Sequence, residues 1–354
     1  MMHYLVRRLL LMVPTLLGIL LLNFAIIQSA PGGPVEQMLA RMNTLGAERS
    51  LFGGNNDGVS QSDTAHSEGL DQVFINQLNH QFGFDKPWWQ RFAKMVGDYL
   101  QFDFGDSFFR GVSVATLIQE RLPVTVSLGL WTMLLMYLVS IPLGIAKAVK
   151  HGSRFDSLTS SIIIIGYAVP GFLFASLLIT FFAGGQYFHW FPLRGLTSGN
   201  AESLSTWGRI ADYFHHIALP VLANTVGSFA ALTLLTKNSF LDEIHRQYVL
   251  TARAKGANNR QVLYGHVFRN AMLIVVAGLP GSIAAIFISG SLLIEYMFSL
   301  EGMGFLGYEA ILTRDYPVIF GTLYLFTLIH LLVKIMSDLL YSWIDPRIHF
   351  EGRS

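Results

Sequence analysis

The sequence predicts an all-α integral membrane protein with about six transmembrane helices and a large polar insertion between the first and the second. Three observations carry this. Of 354 residues 52% are hydrophobic and only 13% charged, too apolar a balance for a water-soluble domain of this size. The apolar residues gather in runs of about twenty, the length that crosses a bilayer as a helix. Basic residues gather in the short stretches between alternate runs, which assigns those stretches to the cytoplasmic side.

The first run, about Leu9 to Ile27, follows Arg7-Arg8 and ends at Gln28-Ser29-Ala30. Small residues at that end also suit a cleaved signal peptide. The run is longer than a signal core, and an uncleaved helix (1–29) with a cytoplasmic N-terminus is the preferred reading. Residues 30–123 form the insertion. Its first part, Arg41 to Gly69, contains Gly53-Gly54-Asn55-Asn56-Asp57-Gly58 and reads as a mobile Gly/Ser/Asp loop. Its second part changes character: Phe82, Trp88, Trp89, Phe92, Met95, Tyr99 and Phe102 recur at helical spacing. Such helices either lie on the membrane surface or pack as a small domain.

A five-helix core follows over 124–343. Helix two covers about Val124 to Ala146, and the turn after it carries Lys147, Lys150 and Arg154. Helix three, about Leu158 to Phe182, contains Pro170-Gly171, a pair that bends a membrane helix. Helix four runs from about His216 to Thr236, helix five from Ala271 to Phe298 and helix six from Val318 to Trp343. A cytoplasmic tail, 344–354, completes the chain.

Between helices four and five lies a polar stretch, 237–270, with six Lys or Arg at 237, 246, 253, 255, 260 and 269. Asp242 to Lys255 patterns as a short amphipathic helix, with Ile244, Tyr248, Val249 and Ala252 at spacings of three and four. Gly256 ends it, and a second short helix is expected from Asn259 to Phe268. Two helices meeting at a glycine corner make a knob suited to a groove on another protein.

Several chemistries are excluded. The chain has no cysteine, which removes disulfides, thiolate catalysis and Cys-based metal sites. No Gly-Lys pair occurs, so the chain has no phosphate-cradling loop and no ATPase site of its own. Gly302-Met303-Gly304-Phe305-Leu306-Gly307 has the spacing of a dinucleotide motif but follows a membrane run without a βαβ unit, and reads as a tight chain re-entry. A net charge of +1 gives no nucleic-acid footprint. His189, His215 and His216 lack the companions of a metal site and read as interfacial. Lys334 and Asp338 are four apart on helix six, as a structural pair would be. Glu295 is the one acid placed inside a helix near its outer end. It either faces a cavity or partner, which would make it a candidate for a translocation path, or pairs a basic neighbour at the interface.

Tyr248-Val249-Leu250-Thr251-Ala252-Arg253-Ala254-Lys255-Gly256, followed by His266-Val267-Phe268-Arg269-Asn270, resembles the cytoplasmic coupling loop of ABC-importer permeases of the dipeptide and oligopeptide type. That family's general form has a Glu-Ala-Ala triplet with a glycine four residues beyond. Leu250-Thr251-Ala252 stands at the triplet, Gly256 keeps its place, and the closing Leu-Pro is absent. Gly290 to Ser299, Gly302-Met303-Gly304 and Arg314-Asp315-Tyr316-Pro317 resemble the family's helix-five exit and outer loop, with Glu301 where the family has proline. Phe82 to Pro87, Phe104 to Ser107, Arg121 to Thr125 and Asp345 to Ile348 follow the same family. The long 41–69 loop looks like the subgroup handling longer peptides and the peptide-nucleotide microcin C.

The resemblance implies the type I ABC importer permease fold with a periplasmic insertion, in a bacterial inner membrane with both termini cytoplasmic. It implies ATPase-coupling roles for Tyr248, Thr251, Ala252, Arg253, Lys255, Gly256 and Ala257, and an outer-loop role for Gly302, Gly304, Arg314 and Asp315. The implied partners are a second homologous permease, two ATP-binding cassette subunits, a periplasmic substrate-binding protein, membrane lipid and a peptide substrate. ATP and Mg would be held by the partner subunits and no cofactor by this chain. A nickel-type permease of the same family is the alternative. An ion-coupled secondary transporter would need more intramembrane carboxylates than Glu295 and Asp338 supply.

Overall fold

The computed structural model describes residues 2–29, 86–183, 187–288 and 291–344. The Gly53-containing loop, the Phe82 motif and the Asp345 tail lie outside them. The described residues are helical throughout, apart from turns and one isolated bridge between Asp106 and Ser113. They divide into two compact units, one of residues 1–8, 118–309 and 326–354, the other of 9–117 and 310–325.

The helices are α1 (Met2–Ser29), α2 (Trp88–Leu100), α3 (Val114–Val149), α4 (Arg154–Ala168), α5 (Gly171–Leu178), α6 (Thr206–Ile244), α7 (Gln247–Ala254), α8 (Asn259–Val262), α9 (Phe268–Ala277), α10 (Leu279–Ile288), α11 (Leu292–Met297), α12 (Met303–Thr313) and α13 (Tyr316–Ile344). Among the described residues five stretches are long and apolar enough to cross a membrane, or six where the bent pair α4 and α5 is counted as one span. Composition makes the spans where expected, but the helices overrun their apolar runs. Helix two begins at Val114, so Pro123, expected before the helix, stands inside it. Helix four extends from Thr206 to Ile244.

Helix three is not one bent rod. It breaks at Val169-Pro170 into segments 95° apart. Proline has no N–H to continue the ladder, and its ring drives the preceding residue out of the α region. Val169 accordingly sits at φ −82°, ψ 118°. The Pro170 carbonyl then accepts the N–H groups of Leu173 and Phe174 and starts α5.

In the larger unit α6 is the axis, with α4, α5, α9 and α11 packed along it. Two apolar clusters lie at its two levels. Leu128 of α3, Ala175 of α5, Ile217 to Ala223 of α6, and Ile294, Phe298 and Leu300 form one. Ile145 and Ala148 of α3, Phe240 of α6, and Val249, Ala252, Val262, Val267 and Ala271 form the other. From Leu128 to Ile145 and from Ala223 to Phe240 the chain advances by the same number of residues, a rise of about 26 Å at 1.5 Å each. That is close to the thickness of a hydrocarbon core, about 30 Å. The two clusters therefore mark opposite faces of the bilayer, with α3 and α6 running between them in the same direction.

Charge is buried where α3, α4 and α6 meet. Lys147 is wholly buried; its Nζ donates to the Asp156 carbonyl (2.9 Å), Thr159 Oγ1 (2.8 Å) and Ser160 Oγ (2.7 Å), and lies 3.0 Å from Asp156 Oδ1. Lys237 Nζ donates to both Asp156 oxygens at 2.8 Å. The Gly152 N–H and the His151 ring, each at 3.2 Å, complete the carboxylate's shell. Lys147 is legible in the sequence only as a topology signal; in the structure it ties α3 to α4, and Asp156 carries the tie on to Lys237 of α6. Elsewhere in this unit the Arg8 guanidinium pairs with Asp338, the acid that sequence spacing had paired with Lys334.

Replacing Asp156 by Asn keeps the shape and removes the charge that answers two largely buried ammonium groups. The variant is expected to lose about 3 kcal/mol, the usual cost of breaking a buried ion pair from one side. The thermal unfolding midpoint of the purified chain in detergent measures it, and an unchanged midpoint would contradict the assignment.

Candidate functional site

The glycine corner is built by backbone rules that can be followed atom by atom. α6 ends at Ile244, and α7 begins three residues later. Its inward face presents Val249 and Ala252, 0% and 8% exposed, to Phe240, Ala148 and Val267. At its far end the Ala257 N–H donates to the Ala252 carbonyl (3.1 Å) and the Gly256 N–H to the Arg253 carbonyl (2.9 Å). This is a Schellman turn, which requires a left-handed residue at its penultimate position, and Gly256 supplies it at φ +87°. Ala252 and Ala257 make the apolar contact that goes with it. A Cβ on Gly256 would meet nothing within 4 Å. The glycine is thus required by backbone conformation, whereas crowding at the corner imposes nothing.

The next helix starts at once. Asn258 Oδ1 accepts the Gln261 N–H (2.8 Å) and Gln261 Oε1 accepts the Asn258 N–H (2.9 Å), a reciprocal capping box. The second short helix is not separate from the membrane. Residues Asn259 to Ile286 form one candidate span, containing a π-helical stretch at Leu263–Val267. Ser239 Oγ also donates to the Ala271 carbonyl (2.7 Å), linking α6 directly to α9.

Of the coupling residues expected from sequence, Ala252 is buried, Tyr248 and Ala257 are half-buried, and Thr251, Arg253, Lys255 and Gly256 are exposed. Tyr248 donates to Glu243 Oε2 (2.5 Å) and is also bonded to the Asn270 side chain. Burial, then the Glu243 carboxylate, raises its phenol above the ordinary value, so it remains a donor through neutral pH. Leu250 and Tyr264, 61% and 58% exposed, stand beside the basic side chains Arg253, Lys255 and Arg260. Apolar area ringed by charge is the composition of a protein-binding surface.

At the other bilayer face Glu295 is fully buried. Its Oε1 accepts Thr125 Oγ1–H (3.1 Å) and its Oε2 the Phe305 N–H (2.8 Å), with a further bond from the Gly304 N–H. Thr125 Oγ1 accepts the Met303 N–H (2.8 Å). The two side chains together cap the N-terminus of α12, where a carboxylate also meets the favourable end of the helix dipole. A Cβ on Gly302 would fall 2.5 Å from the Glu295 carboxyl carbon, so only glycine admits this latch. The acid–base pair of this loop is made instead by Glu301, whose carboxylate meets the Arg121 guanidinium. That pair accounts for an acid where the family has proline.

Arg314 and Asp315 belong to the smaller unit. Arg314 stands at φ +57° in a second Schellman turn, with the Asp315 N–H donating to Ala310 O (2.8 Å). Asp315, 3% exposed, accepts Ser107 Oγ–H (2.5 Å) and the Phe108 N–H (3.3 Å). The histidines serve backbone carbonyls: His216 Nδ1 lies 2.8 Å from Asp212 O and His215 Nε2 2.5 Å from Trp190 O. Among the described residues no three His, Cys, Asp or Glu side chains gather. Sequence reasoning missed the Asp156 cluster, the Glu243–Tyr248 bond and the Glu295–Thr125 cap. Each joins residues far apart in the chain or reads locally as an ordinary surface charge.

The chain is 58% identical over 99% of its length and of the relative's to the inner membrane ABC transporter permease protein YejB of Escherichia coli O157:H7. It is 56% identical, with the same coverage, to the peptidoglycan transport system permease protein YejB of Agrobacterium fabrum (strain C58 / ATCC 33970). To the oligopeptide transport system permease protein AppB of Bacillus subtilis (strain 168) it is 33% identical, over 98% of this chain and 99% of that one. Residues 140–350, which include the Asp156 cluster, the glycine corner and Glu295, match one family, and the chain belongs to it: the binding-protein-dependent transport system inner membrane components.

Proposed function

We propose that this chain is one of two permease subunits of a type I, ATP-driven peptide importer, and that residues 247–258 are the lever through which ATPase subunits act on its spans. The observation that carries the reading is the direct join at the corner. α7 closes in a Schellman turn at Gly256, Asn258 opens the next helix, and that helix continues as the span to Ile286. A push on the exposed face of Leu250, Arg253, Lys255 and Tyr264 passes to the span with no flexible linker between. The buried cluster of Val249, Phe240 and Ile145 carries it to α3 and α6. Two ATP-binding cassette subunits hold ATP and Mg, a second permease completes the path, and a periplasmic binding protein delivers substrate.

Both termini lie in the cytoplasm in this reading. Lys147, Lys150, Arg154 and the basic knob share one bilayer face, and the Arg8–Asp338 pair links the N-terminal helix to α13. Glu295 serves the path from behind, fixing the outer loop of Gly302 and Gly304. Arg314 and Asp315 fix the turn around Ser107, which is offered as part of the binding-protein side.

The substrates proposed are oligopeptides, with microcin C as a long member of the class. The relative in Agrobacterium fabrum, named a peptidoglycan transport system permease, favours a second reading of the same chemistry, peptides cut from the cell wall.

Two outcomes test these statements. Gly256→Val is expected to lower peptide uptake at least tenfold while ATP hydrolysis by the purified complex persists, because a β-branched residue is strained at positive φ. Gly256→Asn, which tolerates that conformation, should retain most uptake; equal loss in both variants would remove the conformational explanation. Cells lacking the chain should fail to take up labelled oligopeptide and should resist microcin C, with nickel accumulation unchanged. Normal peptide uptake with lost nickel uptake would overturn the substrate class, and inhibition by excess cell-wall peptides alone would select the second reading.

A further inference from the structure

α2 is amphipathic in an unusual way, with two apolar faces. Placed at 100° per residue, Trp88, Phe92, Met95 and Tyr99 share one face, and Trp89, Ala93, Val96 and Leu100 share the next, within an arc of about 60°. Gln90, Arg91, Lys94, Asp98 and Gln101 occupy the remainder.

The first face is used by the protein itself. The Phe92 ring packs edge-on against Phe24 of α1 at 5.5 Å, and the Arg91 guanidinium lies over the same ring at 6.0 Å. Tyr99, 6% exposed, packs against Phe104 at 5.1 Å and Tyr324 of α13 at 5.3 Å. Phe92 and Tyr99 thus reach two different spans from positions only two turns apart. The helix bridges α1 near the end of its apolar run and α13 eight residues after its start.

Most of the second face is uncovered among the described residues; Val96 is half-buried and the Trp89 ring packs edge-on against Trp88 at 5.9 Å. Trp89 is 56% exposed, Leu100 66% and neighbouring Phe102 50%, and Ala93 is exposed as well. Water is a poor neighbour for such a stripe, about 16 Å long at 1.5 Å per residue. The place of the stripe decides what covers it. Phe24 is at the end of the candidate span Val6–Ile26 remote from Arg7 and Arg8. The apolar surface of α1 next to it, Leu17, Leu21, Leu22 and Ile26, is 40–65% exposed, as the lipid side of a spanning helix is. The stripe of α2 therefore lies beside a helix exposed to lipid, at the end of its apolar run. Tryptophan is favoured at that depth, and the exposed Lys86 and Lys94 suit phosphate groups.

We propose that α2 is an in-plane membrane anchor, with Trp89, Ala93, Val96 and Leu100 seated in the bilayer interface at the end of α1 away from Arg7 and Arg8. The anchor fixes the base of the polar insertion to the membrane surface. It rests on α1 being a span and is independent of the substrate proposed above.

Because the chain has no cysteine, a single introduced one is a unique label site. Nitroxide would be attached in turn to Trp89→Cys, Ala93→Cys, Val96→Cys and Leu100→Cys, and to Gln90→Cys, Lys94→Cys and Gln101→Cys. The full chain, in the complex with which it purifies, would be placed in bilayer discs of phosphatidylethanolamine and phosphatidylglycerol. Collision with oxygen and with a water-soluble nickel chelate would be measured by spin-label saturation. The expected result is an oxygen-to-nickel ratio severalfold higher at 89, 93, 96 and 100 than at 90, 94 and 101. High nickel access along the stripe would overturn the proposal in favour of water. Low access to both reagents would overturn it in favour of a covering protein surface. Quenching of native tryptophan fluorescence by brominated lipid, reduced in the Trp88→Phe/Trp89→Phe variant, which keeps the other four tryptophans, checks the result without a label.

Discussion

In the hydrocarbon core no water is present to bond a backbone N–H or C=O, so every helix end that stops short of the headgroups must find its partners within the chain. Much of this structure follows from that constraint. The break at Pro170 is closed by the proline's own carbonyl. The start of α12 is capped from a distance by Glu295 and Thr125. Exposed helix ends pair their own backbone as well: three close in Schellman turns, at Gly256, Ser299 and Arg314, each with a positive φ and the paired backbone bonds that define the motif. A buried carboxylate that ties a helix start to a neighbouring span is a structural necessity before it is anything else, which is why Glu295 sits in a closed hydrogen-bond cage.

Buried charge obeys the same logic. Lys147 reaches the inside of the protein only because Asp156, Thr159 and Ser160 surround its ammonium group. Asp156 in turn is held by Lys237 at the base of α6. The result is a rigid joint between α3, α4 and α6 on the same bilayer face as the glycine corner. A force applied to the corner meets a braced set of helix ends, and stiffness of this kind is what a lever between an ATPase and a membrane cavity requires.

How much of this the sequence discloses depends on the range over which each signal acts. Apolar runs and the charges between them are local, so the spans and the position of the knob are legible. Gly256 is legible because a glycine after an amphipathic run predicts a left-handed helix end, and the turn is there. Ser299 and Arg314 make the same turn without a glycine and leave no trace. Helix ends were misplaced where polar residues continue a helix beyond its apolar run, as at Val114 and Ile244. Lys147 reads as a solvated charge because its partners Thr159 and Ser160 lie beyond a turn, and Lys237 reads as the edge of a loop because Asp156 is in another span. Glu301 departs from the family pattern, and its reason, Arg121, is visible only in the fold.

The central claim is that the corner and the span beyond it move as one body. Spin labels at Leu250→Cys and Ala277→Cys report a distance inside that body, and labels at Leu250→Cys and Tyr308→Cys report its position relative to the outer loop. Pulsed electron resonance on the assembled complex, without nucleotide and trapped with ATP and vanadate, measures both. The account predicts an unchanged first distance and a shifted second one. A first distance that changes or broadens on trapping would mean that the corner bends, and the lever would be contradicted.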